Sequence, residues 1–186
     1  MRVARAALVA LTASLLGGCV TTPPPPEAFH AALNQEYRLD AGDRLRVTVF
    51  EQDSLSAIYV VDKAGYLSLP LIGSVPARGK TPDEVRLAIT AALRNGFLRD
   101  PDVSVQVEQY RPFFVMGEVA TGGQYSYVPG MTVQNAVAIA GGFSPRAEKR
   151  TVDITRQVNG QIITGRVVLS DPVLPGDTVT IRERLF

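Results

Sequence analysis

The chain has 186 residues, 46% of them hydrophobic and 20% charged, a globular composition with room for one ordinary domain or two small ones. Its 19 Lys and Arg against 18 Asp and Glu leave a formal net charge of +1, without the basic excess that marks nucleic-acid binders. A single cysteine and a single histidine exclude an intramolecular disulfide framework and any Cys-rich or multi-His zinc site.

A Cys-His or Ser-His nucleophilic site would have to use His30, which lies in a proline-flanked N-terminal stretch outside any core pattern. Arg2 and Arg5 precede the apolar run Ala6 to Leu16, which has the length of a signal h-region and is too short to span a bilayer. Leu16-Gly17-Gly18-Cys19 follows and resembles a bacterial lipobox. Residues 1–18 are therefore expected to be a lipoprotein signal peptide, with Cys19 the lipidated first residue of the mature chain; a plain secretory signal with an incidental thiol is the alternative. Two or more acyl chains hold a protein stably on a bilayer where one binds marginally. Val20 is not the Asp that retains lipoproteins at the inner membrane of enteric bacteria, which implies outer-membrane sorting. Cleavage removes two arginines and leaves 17 basic against 18 acidic groups, a net of −1.

Residues 19–36 read as a tether. Thr21-Thr22 and the run Pro23 to Pro26 favour an extended polyproline II spacer. From Tyr37 the pattern turns to strands. Leu45, Val47 and Val49 alternate with Arg44, Arg46 and Thr48 behind the turn Ala41-Gly42-Asp43. Ile58 to Val61 leads through the hairpin-like turn Asp62-Lys63-Ala64-Gly65 into Tyr66-Leu67-Ser68-Leu69, and Pro70-Leu71-Ile72-Gly73 is expected to end the pairing. Thr81-Pro82-Asp83-Glu84 carries the signature of a helix start with a capping box. That helix runs to Asn95-Gly96 with Val85, Ile89, Ala92 and Leu93 on one stripe, and Val103, Val105 and Val107 return as a strand.

A second unit begins near Phe113 with the apolar strand Phe113 to Met116, and Gly117 to Gly123 is a turn-rich connection. Thr132 caps a short helix carrying Val133, Ala136, Val137 and Ala140, which Gly141-Gly142 ends. Thr151 to Arg156 and Gln161 to Leu169 are strands joined around Asn159-Gly160, a strong hairpin signal, and Thr178 to Ile181 is the last strand. Gly176-Asp177-Thr178-Val179 echoes Gly42-Asp43-Arg44-Leu45. A shared strand-opening turn explains the echo, with Gly taking positive φ and Asp bonding its own backbone.

Tyr37 to Leu45 and Asp62 to Gly73, followed by Gly79-Lys80-Thr81-Pro82-Asp83-Glu84 and Pro101-Asp102-Val103-Ser104-Val105, together resemble the signature domain of Wza-type polysaccharide biosynthesis and export proteins. Gly117-Glu118-Val119, Thr132, Ala140-Gly141-Gly142-Phe143 and Pro175-Gly176-Asp177 resemble a soluble-ligand-binding β-grasp domain. The resemblance implies an α+β chain in which residues 37–110 form a small polysaccharide-export domain and residues 111–186 one β-grasp-like domain. Its motif positions here are Gly42, Asp43, Gly65, Pro70, Gly73, Gly176 and Asp177.

By the same resemblance the protein is a lipid-anchored outer-membrane component facing the periplasm. It would assemble with itself into a ring or conduit that passes polymer received from an inner-membrane polysaccharide co-polymerase. No bond chemistry, cofactor, metal or nucleic acid enters that mechanism. Larger members carry a second β-grasp domain and a pore-lining C-terminal helix. Here five residues follow Ile181, too few to span a bilayer, so a separate outer-membrane channel protein is expected.

Two other readings stay open: a monomeric glycan-binding envelope lipoprotein, and a glycan-processing enzyme using Asp40 with Asp43 or Asp83 with Glu84. Tyr66, Tyr110, Tyr125 and Tyr127 are candidate glycan contacts, though strand aromatics serve more often as core or interface. Arg146, Lys149 and Arg150 form a basic run that reads as a solvated loop or a contact for an acidic polymer.

Overall fold

The computed structural model describes residues 35–158 and 160–184. The signal peptide, Cys19, the proline run and His30 lie outside the described residues. Two hydrophobic clusters organise the chain, one drawn from Leu39 to Val103 and the other from Phe113 to Ile181.

In the first unit, strict alternation makes β1 (Arg44–Val49) a half-buried strand with Leu45, Val47 and Val49 inside. It is the middle strand of an antiparallel sheet, flanked by β2 (Ala57–Val60) and β5 (Val103–Gln109). A separate hairpin, β3 (Tyr66–Leu69) with β4 (Gly73–Pro76), contributes Leu67, Leu69 and Val75 to the same core. Helix α1 (Pro82–Arg94) closes it with Val85, Ile89 and Leu93, spaced four apart on one stripe. The expected capping box forms: Thr81 Oγ1 accepts from Glu84 N at 3.2 Å and Glu84 Oε2 accepts from Thr81 N at 2.8 Å.

Strand pairing differs here from the sequence expectation. The Asp62–Gly65 turn closes, with Gly65 N donating to Asp62 O at 3.0 Å, yet β2 pairs with β1 and β3 pairs with β4. The Gly65 carbonyl accepts from Ala77 N and Arg78 N at 2.8 and 2.9 Å, which ties the base of the hairpin to the chain leaving β4. Pro70–Gly73 thus reverses the chain into β4 instead of ending the pairing.

In the second unit, β6 (Phe113–Gly117), β7 (Gly123–Tyr125), β8 (Thr151–Val158), β9 (Gln161–Val168) and β10 (Thr178–Ile181) form one sheet in the order β7-β6-β10-β8-β9. Only β10 and β6 pair in parallel. One face of the sheet, including Phe113, Val115, Ile154 and Val179, packs on α2 (Val133–Ile139) through Val133, Ala136 and Val137. Thr132 and Asn135 cap this helix reciprocally. A single helix packed on one face of a mixed sheet accords with the β-grasp resemblance. The strand β7 is additional to the expected elements: the glycine-rich connection is short enough that Gly123 returns beside Val115.

Because Ile89 is fully buried in a core closed by one helix, Ile89→Ala should lower unfolding free energy by about 2–5 kcal/mol. Thr81→Ala, which removes one cap, should cost about 1 kcal/mol. Urea titration of both variants followed by circular dichroism measures the difference.

Candidate functional site

The two Gly-Asp turns that look alike in sequence are built alike. Asp43 N donates to Asp40 O at 3.2 Å while Asp43 Oδ2 accepts from Asp40 N at 2.9 Å. Likewise Asp177 N donates to Leu174 O at 3.1 Å and Asp177 Oδ2 accepts from Leu174 N at 2.7 Å. In each turn the aspartate satisfies a backbone donor three residues upstream and the glycine holds positive φ, 94° at Gly42 and 86° at Gly176. Both carboxylates are buried, so each needs a cation or several donors.

Each finds an arginine. Asp177 is held bidentately by Arg156, Nε to Oδ1 at 2.9 Å and Nη2 to Oδ2 at 2.7 Å, with the pair almost wholly out of solvent. Burial pushes the Asp177 carboxyl above its ordinary range, against the pull of Arg156. Asp43 takes its partner from the connector between the units: Oδ1 accepts from Arg111 N at 2.8 Å, and the Arg111 guanidinium lies 3.3 Å from Oδ2. Tyr37 OH donates to Asp43 Oδ2 at 2.7 Å and accepts from Arg111 Nη1 at 2.9 Å. Burial holds this phenol well above its usual range.

Arg111 also faces the second turn. A Cβ on Gly176 would lie 2.8 Å from Arg111 Nε, and one on Gly42 would meet Arg111 Cβ at 3.6 Å. Gly176 N donates to Pro112 O at 3.0 Å and Phe114 N to Asp177 O at 2.9 Å, which fixes the second turn to the start of β6. Aromatic rings complete the junction. Tyr37 of the first unit meets Tyr110 edge-to-face at 4.9 Å, and Tyr110 meets Tyr127 of the second unit at 5.5 Å. The Arg111 guanidinium lies 5.7 Å from the Tyr37 ring centroid.

The sequence motif positions therefore separate into two groups. Gly42, Asp43, Gly176 and Asp177 converge on the junction. Gly65 joins them indirectly: a Cβ there would lie 2.5 Å from Arg78 Cβ, and Arg78 bridges to Asp40 Oδ1 at 2.9 Å and to Lys63 O at 2.7 Å. Pro70 and Gly73 sit apart, at the tip of the β3–β4 hairpin. Sequence reasoning did not single out Arg111 or Arg156, because the two aspartates read as local turn residues and their burial appears only in the fold. Of the four tyrosines weighed as glycan contacts, Tyr110 and Tyr127 belong to the junction stack. Tyr125 packs on Phe113 and donates to Thr121 O at 2.6 Å, and Tyr66 remains exposed on β3. Asp83 pairs with Arg86 at 2.8 Å, Glu84 completes the helix cap, and Asp40 and Asp43 are occupied in one turn, so each carboxylate weighed for a glycosidase pair has a structural partner.

Comparison with known proteins gives two family matches. Residues 31–108 match the family described as polysaccharide biosynthesis/export protein, and residues 112–166 match the SLBB domain. Among similar proteins is the exopolysaccharide production protein ExoF of Rhizobium meliloti (strain 1021), 44% identical over 120 residues that cover 58% of this chain and 28% of ExoF. The EPS I polysaccharide export outer membrane protein EpsA of Ralstonia nicotianae is 40% identical over 138 residues, 68% of this chain and 36% of EpsA. The polysialic acid transport protein KpsD of Escherichia coli is 25% identical over 162 residues, 81% of this chain and 29% of KpsD. The chain thus spans about a third of the length of the curated relatives it matches.

Removing the Asp43 side chain deprives Arg111 N, Asp40 N and Tyr37 OH of their acceptor, and an unsatisfied buried donor costs about 1–3 kcal/mol. Asp43→Ala should therefore uncouple the units, turning one cooperative calorimetric transition into two. Arg156→Met leaves the Asp177 carboxyl without its cation inside the second unit and should cost about 3–5 kcal/mol, read as a lower urea midpoint.

Proposed function

The chain belongs to the polysaccharide biosynthesis/export family, with an SLBB domain following the export domain, and on that premise we propose that it is an envelope component that conducts a capsular or extracellular polysaccharide to the cell surface without making or breaking bonds. Cys19 carries the lipid that holds it to the outer membrane, with the two folded units on the periplasmic side. Copies associate side by side into a ring or conduit, receiving polymer from an inner-membrane polysaccharide co-polymerase and handing it to a separate outer-membrane channel.

The observation that carries this reading is the ordered pair of matched domains, 31–108 and 112–166, joined by the buried Asp43–Arg111 and Tyr37–Tyr110–Tyr127 contacts. A cyclic assembly repeats one rotation between neighbours, so a subunit of two domains must hold them at one mutual orientation. A connector whose backbone N–H is bonded into the first unit at Arg111, and whose Pro112 carbonyl is bonded into the second, supports that requirement. The relatives' names, an exopolysaccharide production protein and a polysaccharide export outer membrane protein, favour the same class of cargo and the same membrane.

The test is a gene deletion, with extracellular and cell-retained polysaccharide measured separately. Loss of extracellular polymer restored by the wild-type gene is the expected result, and Cys19→Ser should fail to restore it. Unchanged export in a strain without a second copy of the gene would overturn the reading in favour of a monomeric glycan-binding lipoprotein.

A further inference from the structure

β1 starts at Arg44 beside the junction and ends about 17 Å away at Val49. Residues 61–65 and 77–81 are tied to Leu39–Gly42 by backbone hydrogen bonds, so β3 and α1 also leave the junction end and run outward. The far pole of the first unit consequently contains two chain reversals: Phe50–Asp53 after β1 and residues 95–102 after α1. Phe50 N, bonded to Asp102 O at 2.9 Å, joins the first of these to the second.

That pole is apolar and acidic. Phe50 and Phe97 are 67% and 49% exposed, large side chains that their own unit leaves uncovered. Glu51, in the first of these reversals, holds a positive φ of 58°, a conformation that side-chain-bearing residues adopt at a cost. Glu51, Asp53, Asp100 and Asp102 are exposed there, against Arg94 and Arg99.

The far pole of the second unit is its opposite. β6 and β10 start at the junction and run in parallel to Gly117 and Ile181, and residues beyond Ile181 pair with the 144–148 loop: Ala147 bridges Glu183, Glu148 N donates to Arg182 O and Arg184 N to Arg146 O. This pairing gathers Arg146, Lys149, Arg150, Arg182 and Arg184 against Glu118, Glu148, Glu183 and Asp153: Arg146 engages Glu183, Arg150 engages Glu148, and Arg182 shares Asp153 with Arg166. The Arg150 side chain is 90% exposed. Ile139, at the end of α2 beside the same loops, is 51% exposed.

We infer that the acidic, phenylalanine-tipped pole of one copy docks on the basic pole of a second copy, stacking subunits end to end. Complementary poles on one chain make a heterologous contact, and such a contact without a closing rotation propagates lengthwise. The occupant is a second copy because the two poles match each other in charge, four carboxylates with two arginines on one and six cations with four carboxylates on the other. Opposed charges of this kind also steer encounter and suppress pairing of like poles. The inference goes beyond the side-by-side ring and does not require it: a ring would stack on a ring, a monomer on a monomer.

Sedimentation velocity of the acylated full chain in mild detergent tests it, at about 20 mM and about 500 mM salt, where the screening length falls from about 20 Å to about 4 Å. The wild type should form a larger species at low salt that reverts to its base unit at high salt. Glu51→Lys with Asp53→Lys, and separately Lys149→Glu with Arg150→Glu, should each remain at the base unit at both salt levels, since each has two poles of like sign. An equimolar mixture of the two variants should regain the larger species, because each then meets its opposite. Assembly indifferent to salt, variants that stack as the wild type does, or a mixture that stays dissociated would overturn the proposal and leave the poles to other proteins or to anionic lipid. The mass of the base unit, monomer or ring, reports separately on the proposed function.

Discussion

One buried carboxylate holds the two halves of this chain in register. Asp43 is fully out of solvent, and a charge in that position persists only with its acceptor capacity filled. Two of its partners, Tyr37 and the Asp40 amide, are local, while the third is the backbone and guanidinium of Arg111, across the whole first domain in sequence. The first unit therefore cannot satisfy its own strand-opening turn. It is complete only when the connector is in place, and the connector is placed only when Pro112 and Phe114 are bonded into the Gly176-Asp177 turn. Rigidity between the domains follows from an electrostatic requirement inside one of them.

Much of this architecture was legible in the chain. The alternation Leu45, Val47, Val49, the capping box at Thr81 and Glu84, and the Asn159-Gly160 hairpin signal are local patterns, and local patterns survive folding when the core agrees with them. The strand partners were less legible. A good turn at Asp62–Gly65 argued for a β2–β3 hairpin, but the sheet chose β1 for β2 and β4 for β3, since pairing is decided by which backbone groups remain open after the core closes. Gly73 to Pro76 has a single buried side chain, Val75, too little alternation to announce a strand.

The junction shows a different kind of gap. The glycines at 42 and 176 were readable as turn residues, and they do hold positive φ. What the sequence did not reveal is that Gly176 also makes room for Arg111, and Gly65 for Arg78, because clearance depends on a side chain far away in the chain. Likewise the repeated Gly-Asp pair was visible, whereas its meaning, two turns set against one shared arginine, needed the units side by side. The tyrosines went the way strand aromatics more often go: weighed as sugar contacts against core or interface, Tyr110 and Tyr127 pack on each other at the junction.

The sharing of Arg111 has a bearing on how such proteins can be rearranged by recombination. A crossover that exchanged the second domain for another β-grasp unit would bring a new Gly176 neighbourhood against an old Arg111, or a new connector against an old Asp43. Breakpoints that keep Arg111 with the first turn leave the buried carboxylate answered, and those that also keep Gly176 leave room for the Arg111 side chain. The short connector is thus the least portable part of the gene, and domain shuffling in this lineage is expected to move the pair as one cassette.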